Sequence, residues 1–333
     1  MPDTFQALVV EEAEDGTYKR SLRQRTFEAL PDEDVIIHVH YSALNYKDAL
    51  SATGNKGVTK RFPHTPGIDA AGAVVESRDA RFSVGDKAIV TSYDLGQNTP
   101  GGFGEYIRVP GDWVVPLPGG LTLRESMMLG TAGFTAAYGM HHLIHNGTSP
   151  ADGPVLVTGA TGGVGSLTVA LLGNQNFDVT AATGKPDQRN YLMTLGAAKV
   201  IHRDEIEGDS SKPLLSGRWA AAIDTVGGSM LDTVLRQTRH DGTVACCGNI
   251  LGGELHTSIY PFILRGVSLM GIDSGRCRMP MRKKIWGKLA ADWKPPKLET
   301  ICRECTLADL DREIDKILAG GQIGKVLVNL KNN

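Results

Sequence analysis

VLVTGATGGVG, from Val155 to Gly165, places an apolar run directly before a turn that contains four glycines. Apolar residues at helical spacing follow, from Val164 to Leu171. A short strand that passes through glycines into a helix is typical of a parallel, doubly wound α/β sheet. The segment therefore predicts the beginning of such a sheet.

The alternation of strands and helices continues beyond this segment. We expect a helix over 186–195, followed later by a C-terminal helix over 308–319 and a strand over 325–329. Further strands of the sheet are predicted at 177–182, 199–202, 220–225, 242–247 and 267–271. Before about residue 125, short β-branched runs such as Val35 to His40 alternate with Gly, Pro and Asp and predict a mostly β domain. The fold class is thus α/β, with a β-rich domain over 1–128 and 276–333 and a doubly wound domain over 129–275.

Composition excludes several kinds of protein. The chain has 333 residues and a formal net charge of −2, so that no general field attracts nucleic acid or anionic membranes. No run approaches the roughly 18 apolar residues that a membrane span needs. The N-terminus lacks the pattern of a signal peptide, and five cysteines are an odd count, typical of reduced thiols. We expect a cytoplasmic protein without nucleic acid or membrane partners.

The glycine turn predicts a dinucleotide site. Pyrophosphate binds backbone N–H groups at a helix N-terminus, and glycines leave the space that it needs. The spacing is G-x-x-G-G-x-G rather than G-x-G-x-x-G, but a strand precedes it and a helix follows.

The end of the next strand favours NADP(H) over NAD. An NAD site usually has a carboxylate about 20 residues beyond the glycines, whereas this chain has Thr183, Gly184 and Lys185. A lysine and a hydroxyl pair with a 2′-phosphate, and Arg203, after the third strand, adds a second cation.

Several motifs, in order along nearly the whole chain, resemble the zinc-independent quinone oxidoreductase branch of the medium-chain dehydrogenase/reductase superfamily. They are the glycine turn together with ALNYKD (43–48), PGIDAAG (66–72), GDKA (85–88), GFGEY (102–106) and GTAGFTA (130–136). Within that branch, AIDTVG (222–227) and PFILR (261–265) resemble the acrylyl-CoA reductases most closely.

The resemblance implies a GroES-like catalytic domain, a Rossmann domain, an active site in the cleft between them and a homodimer. The dimer would join the two Rossmann sheets at the edge formed by 267–274. The resemblance also implies the cofactor contacts Tyr46, Thr161, Gly162, Gly163, Val164, Thr183, Gly184, Lys185, Arg203, Asn249, Ile263 and Ser274.

The metal ligands of the superfamily's alcohol dehydrogenases are absent from this sequence. Gly67-Ile68-Asp69 stands where those enzymes have Gly-His-Glu, Asn45 stands in the region of a ligand cysteine, and residues 1–245 contain no cysteine. We therefore expect no metal. Without a Lewis acid, hydride transfer to a C=C bond conjugated to a carbonyl is favoured over alcohol oxidation.

Asn45, Tyr46 and Asp48 are the candidate catalytic residues, on a turn that opens a helix. Tyr46 would contact the nicotinamide or donate to the substrate oxygen. In the structural alternative, Asn45 caps the helix and Tyr46 only packs its ring over the cofactor.

A basic stretch predicts a CoA contact. Arg278, Arg282 and Lys284 are the candidate ligands of the CoA phosphates, and the alternative is the solvated face of a helix. The sequence thus predicts an NADPH-dependent acrylyl-CoA reductase. A quinone or small-enone reductase and, less favoured, an NADPH-binding protein without catalysis are the alternatives.

Overall fold

A computed structural model describes residues 2–206 and 211–331. The chain folds into two compact units. The first unit contains Met1–Thr131, Gly275–Ala290 and Ile301–Asn333, and the second contains Ala132–Ser274 and Ala291–Thr300.

The secondary structure is numbered along the chain. The strands are β1 (Thr4–Glu12), β2 (Tyr18–Thr26), β3 (Val35–Leu44), β4 (Asp69–Ser77), β5 (Lys87–Thr91), β6 (Tyr106–Val109), β7 (Val115–Pro116), β8 (Val155–Val157), β9 (Val179–Thr183), β10 (Lys199–His202), β11 (Trp219–Asp224), β12 (Thr238–Cys246), β13 (Ser268–Gly271), β14 (Cys302–Thr306) and β15 (Lys325–Asn329). The helices are α1 (Tyr46–Ser51), α2 (Leu123–His145), α3 (Gly163–Asn174), α4 (Arg189–Leu195), α5 (Gly228–Gln237), α6 (Tyr260–Arg265), α7 (Met279–Leu289), α8 (Leu298–Ile301) and α9 (Leu310–Leu318).

The first unit is built on a mostly antiparallel sheet. Its strands lie in the order β14-β15-β3-β4-β5-β7, β6 pairs with β3, and β1 with β2 forms a separate hairpin. The C-terminal strand β15 pairs with β3 in a register that sets Val326 opposite Leu44. Apolar side chains that alternate along β3, such as Val35, Ile37 and Val39, enter the core of this unit. The register brings the beginning of β15 beside the beginning of α1.

The second unit is a doubly wound parallel sheet. Its strand order is β10-β9-β8-β11-β12-β13, and every neighbouring pair is parallel. The carboxyl ends of parallel strands meet at one edge, where ligands bind in sheets of this kind. Candidate cofactor residues lie at this edge, at or after the ends of β9, β10, β12 and β13.

The predicted fold class is confirmed, since a β-rich sheet and a parallel doubly wound sheet are both present. The strand predicted at 325–329 has those bounds, and the C-terminal helix and strand belong to the first unit. The two units differ from the predicted boundaries at residues 129–131 and Gly275, which lie with the first unit, and at Ala291–Thr300, which lie with the second. There Asn174 Nδ2 donates to the carbonyl oxygen of Asp292 over 3.3 Å, and Lys297 Nζ donates to that of Thr194 over 2.9 Å.

Two remaining features concern the surface. Strand β13 lies at one border of the six-stranded sheet and, among the described strands, pairs with β12. The predicted dimer edge is therefore at the border of the sheet. The homodimer itself stays a prediction. Among the helices of the described residues, none has the length and apolar character to cross a membrane.

Candidate active site

The start of helix α1 presents one polar side chain and buries another. Asn45 is the N-cap residue with an extended backbone, as the structural alternative predicts. The Tyr46 ring is 42% exposed, whereas Asp48 is completely buried. This burial corrects one part of the prediction, because the Asp48 carboxyl cannot contact a substrate directly. Tyr46 is the exposed member of the predicted trio.

The side-chain amide of Asn45 is held from several sides. Its Nδ2 donates to Asp69 Oδ2 over 2.9 Å and to Asp48 Oδ2 over 3.1 Å. Its Oδ1 accepts a hydrogen bond from Lys325 Nζ over 2.8 Å. The amide therefore connects two carboxyl groups and an ammonium group, which leaves it poorly placed to serve as a direct hydrogen-bond donor to a substrate.

Asp69, at the beginning of β4, joins this cluster to helix α2. Its Oδ1 accepts hydrogen bonds from the backbone N of Thr131 over 2.9 Å and from Thr131 Oγ1 over 2.6 Å. Gly130 interrupts the helical backbone with φ 52° and ψ −157°. A Cβ at this position would come within 2.5 Å of Asp69 Oδ2, so a glycine is needed here for both conformation and space.

The ionisation of Asp48 depends on its burial. Loss of solvation, followed by the charge of Asp69, raises the pKa of Asp48 to about 7. Hydrogen bonds from the backbone N of Ile68 and of Asn45 oppose the increase, each over 2.8 Å. The carboxyl group thus changes its charge near neutral pH.

In the second unit, the glycine turn lies between β8 and α3. Gly159 has φ 57°, and a Cβ there would meet Thr225 Oγ1 at 2.4 Å. A Cβ at Gly165 would lie 2.2 Å from the carbonyl oxygen of Gly159. At the N-cap Gly162, by contrast, a Cβ would approach only the Gly159 oxygen, at 3.4 Å, and would fill the space above the helix N-terminus. The turn fits a pyrophosphate that approaches the backbone of Gly163 and Val164.

A buried carboxyl group on the neighbouring strand holds this turn. Asp224, at the end of β11, accepts a hydrogen bond from Thr158 Oγ1 over 2.7 Å and another from the backbone N of Gly227 over 2.7 Å. Burial raises the pKa of Asp224. The side chain fixes the ends of β8 and β11 relative to each other.

The candidate 2′-phosphate residues are neighbours at the ends of β9 and β10, whose final residues Thr183 and His202 are paired. Thr183 Oγ1 accepts a hydrogen bond from the backbone N of Lys185 over 3.0 Å and is 3.2 Å from Thr161 Oγ1. A Cβ at Gly184 would lie 3.2 Å from the Arg203 Cδ and Nε. The structure therefore brings Lys185 and Arg203 together beside the glycine turn.

Of the other candidate cofactor residues, Asn249 and Ser274 follow strands at the same edge, and Ile263 lies on the helix before β13. Asn249 is exposed after the end of β12, and Ile263 is 62% exposed on α6. Ser274 follows β13, and its Oγ accepts a hydrogen bond from Thr135 Oγ1 over 2.7 Å.

The prediction for Arg282 is wrong in its placement. Arg282 is completely buried, and its Nη1 donates to the carbonyl oxygen of Thr91 over 3.0 Å and to Thr91 Oγ1 over 2.9 Å. Its guanidinium also lies 4.4 Å from the centre of the Tyr93 ring. Arg282 lies at a core-facing position of helix α7. Its charged group therefore contacts other residues of the first unit. Arg278 and Lys284 are exposed.

Within residues 2–206 and 211–331, no group of three or more His, Cys, Asp or Glu side chains is arranged to hold a metal ion. Ile68 is 3% exposed.

Two residues of the polar cluster were missed by the sequence reasoning. The sequence places Asp69 in the motif at 66–72 and in the segment that replaces Gly-His-Glu, and it places Lys325 at the beginning of a strand, without a role for either side chain. A lysine directly before three apolar, buried residues (KVLVN) is a signal that it has a buried anionic partner. The partner itself was not deducible without the pairing of β15 with β3.

Two protein-family models match the chain. The alcohol dehydrogenase GroES-like domain matches residues 31–119, and the zinc-binding dehydrogenase model matches residues 163–290. Together they define the class, a two-domain dehydrogenase with a GroES-like and a nucleotide-binding part.

Relatives match over nearly the full length. The putative quinone oxidoreductase YhfP of Bacillus subtilis is 45% identical over 99% of this chain and 100% of its own. Acrylyl-CoA reductase AcuI of Ruegeria pomeroyi is 42% identical over 98% of this chain and 99% of its own.

Two solved structures of oxidoreductases are also similar to this chain over nearly its full length. The yhdH oxidoreductase from Salmonella enterica in complex with NADP is 43% identical, with a TM-score of 0.95 over 98% of this chain and 100% of its own. The Bacillus subtilis protein yhfP with NAD bound is 44% identical, with a TM-score of 0.96 over 99% of this chain and 100% of its own. The chain belongs to the quinone oxidoreductase-like branch of the medium-chain dehydrogenase/reductase superfamily, as its motifs indicated.

The raised pKa of Asp48 predicts a pH-dependent stability. In the unfolded chain this carboxyl has a pKa of about 4, so the folded protein binds the proton more tightly. The resulting stabilisation is fully present below about pH 4 and is lost as the pH rises to about 7. Relative to Asp48→Asn, the free energy of unfolding of the wild type should fall over this interval by an amount on the order of 1–4 kcal/mol.

Denaturant titrations at several pH values measure this difference. Asp3→Asn, at an exposed position, is the control and should follow the wild type. A parallel pH dependence of the wild type and Asp48→Asn would show that Asp48 is ionised throughout.

Proposed function

We propose that this oxidoreductase is an NADPH-dependent acrylyl-CoA reductase, which reduces the C=C bond of acrylyl-CoA to give propionyl-CoA. The observation that carries the proposal is the full-length similarity to acrylyl-CoA reductase AcuI, at 42% identity. The cationic pair at the ends of β9 and β10 supports the choice of NADPH, because a 2′-phosphate needs positive charge where NAD sites have a carboxylate.

The second unit binds the cofactor in this proposal. The backbone of Gly162, Gly163 and Val164 receives the pyrophosphate, and Lys185 with Arg203 receives the 2′-phosphate. Thr161 and Thr183 line the same edge, and both are buried. Asn249, Ile263 and Ser274 continue it toward the nicotinamide. NADPH supplies a hydride when it is bound.

The first unit acts on the substrate. Addition of hydride at the β-carbon moves the C=C electron pair toward the thioester, and negative charge develops on the carbonyl oxygen. The exposed phenol of Tyr46 donates a hydrogen bond to this oxygen and stabilises the enolate. A proton then bonds to the α-carbon, which completes the saturated product. Asn45 and Asp48 act behind Tyr46, through the beginning of α1.

A second candidate function is the reduction of quinones or small enones. The Bacillus subtilis relative named as a putative quinone oxidoreductase is 45% identical over its full length. A quinone is also a C=C bond conjugated to a carbonyl and requires the same hydride acceptor geometry, but it carries no phosphates. The two functions therefore differ in what they require outside the reacting atoms.

The decisive experiment compares kcat/KM for acrylyl-CoA, crotonyl-CoA and para-benzoquinone with NADPH. We expect acrylyl-CoA to be preferred over the quinone by at least about tenfold, a difference of about 1.4 kcal/mol in transition-state binding. Preference for the quinone would support the second candidate. NADPH binding without oxidation of the cofactor by any substrate would support a non-catalytic binding protein.

The cofactor assignment predicts a selective effect of charge reversal. Lys185→Glu should raise the KM for NADPH by at least about tenfold more than the KM for NADH. The new carboxylate repels the 2′-phosphate, which NADH lacks. Steady-state kinetics with both cofactors measure the ratio. Lys199→Glu makes the same change of charge at the first residue of β10, away from the ends of β9 and β10, and is the control. Equal effects on NADPH and NADH would remove Lys185 from the 2′-phosphate site.

The CoA assignment predicts a selective effect at Arg278 and Lys284. Replacing both with Gln should raise the KM for acrylyl-CoA on the order of tenfold, the value of one charge-assisted hydrogen bond, and leave the KM for para-benzoquinone unchanged. The double variant Lys19→Gln/Lys60→Gln removes two exposed charges elsewhere in the first unit and should have no effect. If acrylyl-CoA and quinone respond alike, the basic stretch is only a solvated surface.

A further inference from the structure

Lys325 is an unusual side chain for the interior of a β-sheet. It is 1% exposed on β15, where it pairs with Cys302 of β14 and directly precedes the buried Val326, Leu327 and Val328. A buried ammonium loses its hydration, and a methionine of similar volume would avoid this loss. The side chain is therefore retained for something other than packing.

The ammonium is directed at the beginning of helix α1. Lys325 Nζ donates to Asn45 Oδ1 over 2.8 Å and to the carbonyl oxygen of Leu44 over 3.3 Å, and it lies 3.9 Å from Asp69 Oδ2. Because Val326 pairs with Leu44, the sheet register itself places Lys325 beside Asn45.

Charge fixes the orientation of the Asn45 amide. An amide can turn over and exchange its oxygen and nitrogen, but here the oxygen faces the Lys325 ammonium and the nitrogen faces the carboxyl groups of Asp48 and Asp69. The reversed amide would set its NH₂ group against an ammonium and its oxygen against two carboxyl groups. One orientation of the Asn45 amide is thus strongly favoured. This orientation also restricts the backbone of Asn45, the residue before Tyr46.

We propose that Lys325 and Asp69 are positioning residues of the active site, which act through Asn45 to hold the beginning of α1 and the phenol of Tyr46 in the orientation that meets the substrate. The catalytic part of this inference rests on the proposed function. Its structural part concerns Asn45 and Tyr46 alone and is measured without turnover.

The kinetic test uses Lys325→Met, which keeps the volume and removes the charge. With acrylyl-CoA, kcat should fall about 10–100-fold, since small displacements of a reacting group have effects of this size, while the KM for NADPH stays within about twofold. Lys331→Met, at an exposed lysine just beyond β15, is the matched control and should keep the wild-type kcat.

A double variant separates positioning from folding. Lys325→Met/Asp69→Asn removes both charges, so that neither is left buried without the other, and it should lose less kcat than the product of the two single losses. If Lys325→Met does not fold, the double variant is assayed alone. A wild-type kcat in either folded variant would overturn the proposal, as would losses that simply multiply.

The spectroscopic test follows the side-chain amide of Asn45 in protein labelled with ¹⁵N-asparagine and the ring of Tyr46 in protein labelled with ¹³C-tyrosine, assigned with Asn45→Ser and Tyr46→Phe. The charged groups of the cluster are Asp48 on α1, Asp69 on β4 and Lys325 on β15. In the wild type the amide signal should titrate near pH 7 with Asp48. In Lys325→Met the Asn45 amide signal and the Tyr46 signal should both shift, because the ammonium that donates to Asn45 Oδ1 is gone.

The two tests distinguish the proposals. If the wild type reduces no substrate, the proposed function fails, and the spectra alone decide the inference. Unchanged Asn45 and Tyr46 signals in Lys325→Met would overturn it, whatever the enzyme reduces.

Discussion

The first unit depends on the hydrogen bonds that the buried carboxylate of Asp69 accepts. It stands at the beginning of β4, receives the Thr131 backbone and hydroxyl from the interrupted helix α2, and receives the Asn45 amide from the N-terminus of α1. Through Asn45 it is also connected to Lys325 on the last strand. Four segments that are far apart in sequence therefore meet at one buried charge. Such a network is stable only when every member is satisfied, because a partner lost in a low-dielectric interior leaves the others without compensation.

A different constraint organises the second unit, where the backbone rather than a charge comes first. The turn after β8 is so close to β11 and to itself that side chains are excluded at Gly159 and Gly165. Asp224 then fixes the turn from the neighbouring strand with hydrogen bonds to Thr158 and Gly227. Glycines supply the shape and a buried carboxyl group supplies the rigidity. An anion-binding surface made of backbone N–H groups needs both, since its donors must be in place before a ligand arrives.

The sequence was most informative where local pattern and structure coincide. The glycine turn, the parallel strands and the position of Lys185 after β9 follow from periodicity and residue type over short distances. Burial of charged residues could not be predicted in the same way. The basic stretch from 276 to 284 has one cation, Arg282, inside the core, and its partner Thr91 lies 191 residues away. Lys325 became interpretable only when the register of β15 on β3 was known, because long-range strand pairing is not encoded in local periodicity. Asp48 became interpretable only with its hydrogen bond from the backbone N of Ile68, 20 residues away.

The close packing of Arg203 against Gly184 has a consequence for substitutions at this edge of the sheet. Any side chain at position 184 would have to share space with the Arg203 guanidinium, which lies 3.2–3.3 Å from the place of a Cβ. The carboxylate that an NAD site uses would form an ion pair with this arginine rather than remain available to a ribose. A carboxylate at position 184 would therefore be available to a ribose only if Arg203 were replaced as well. The two positions are coupled, and the effects of their substitutions on nucleotide affinity should not be additive.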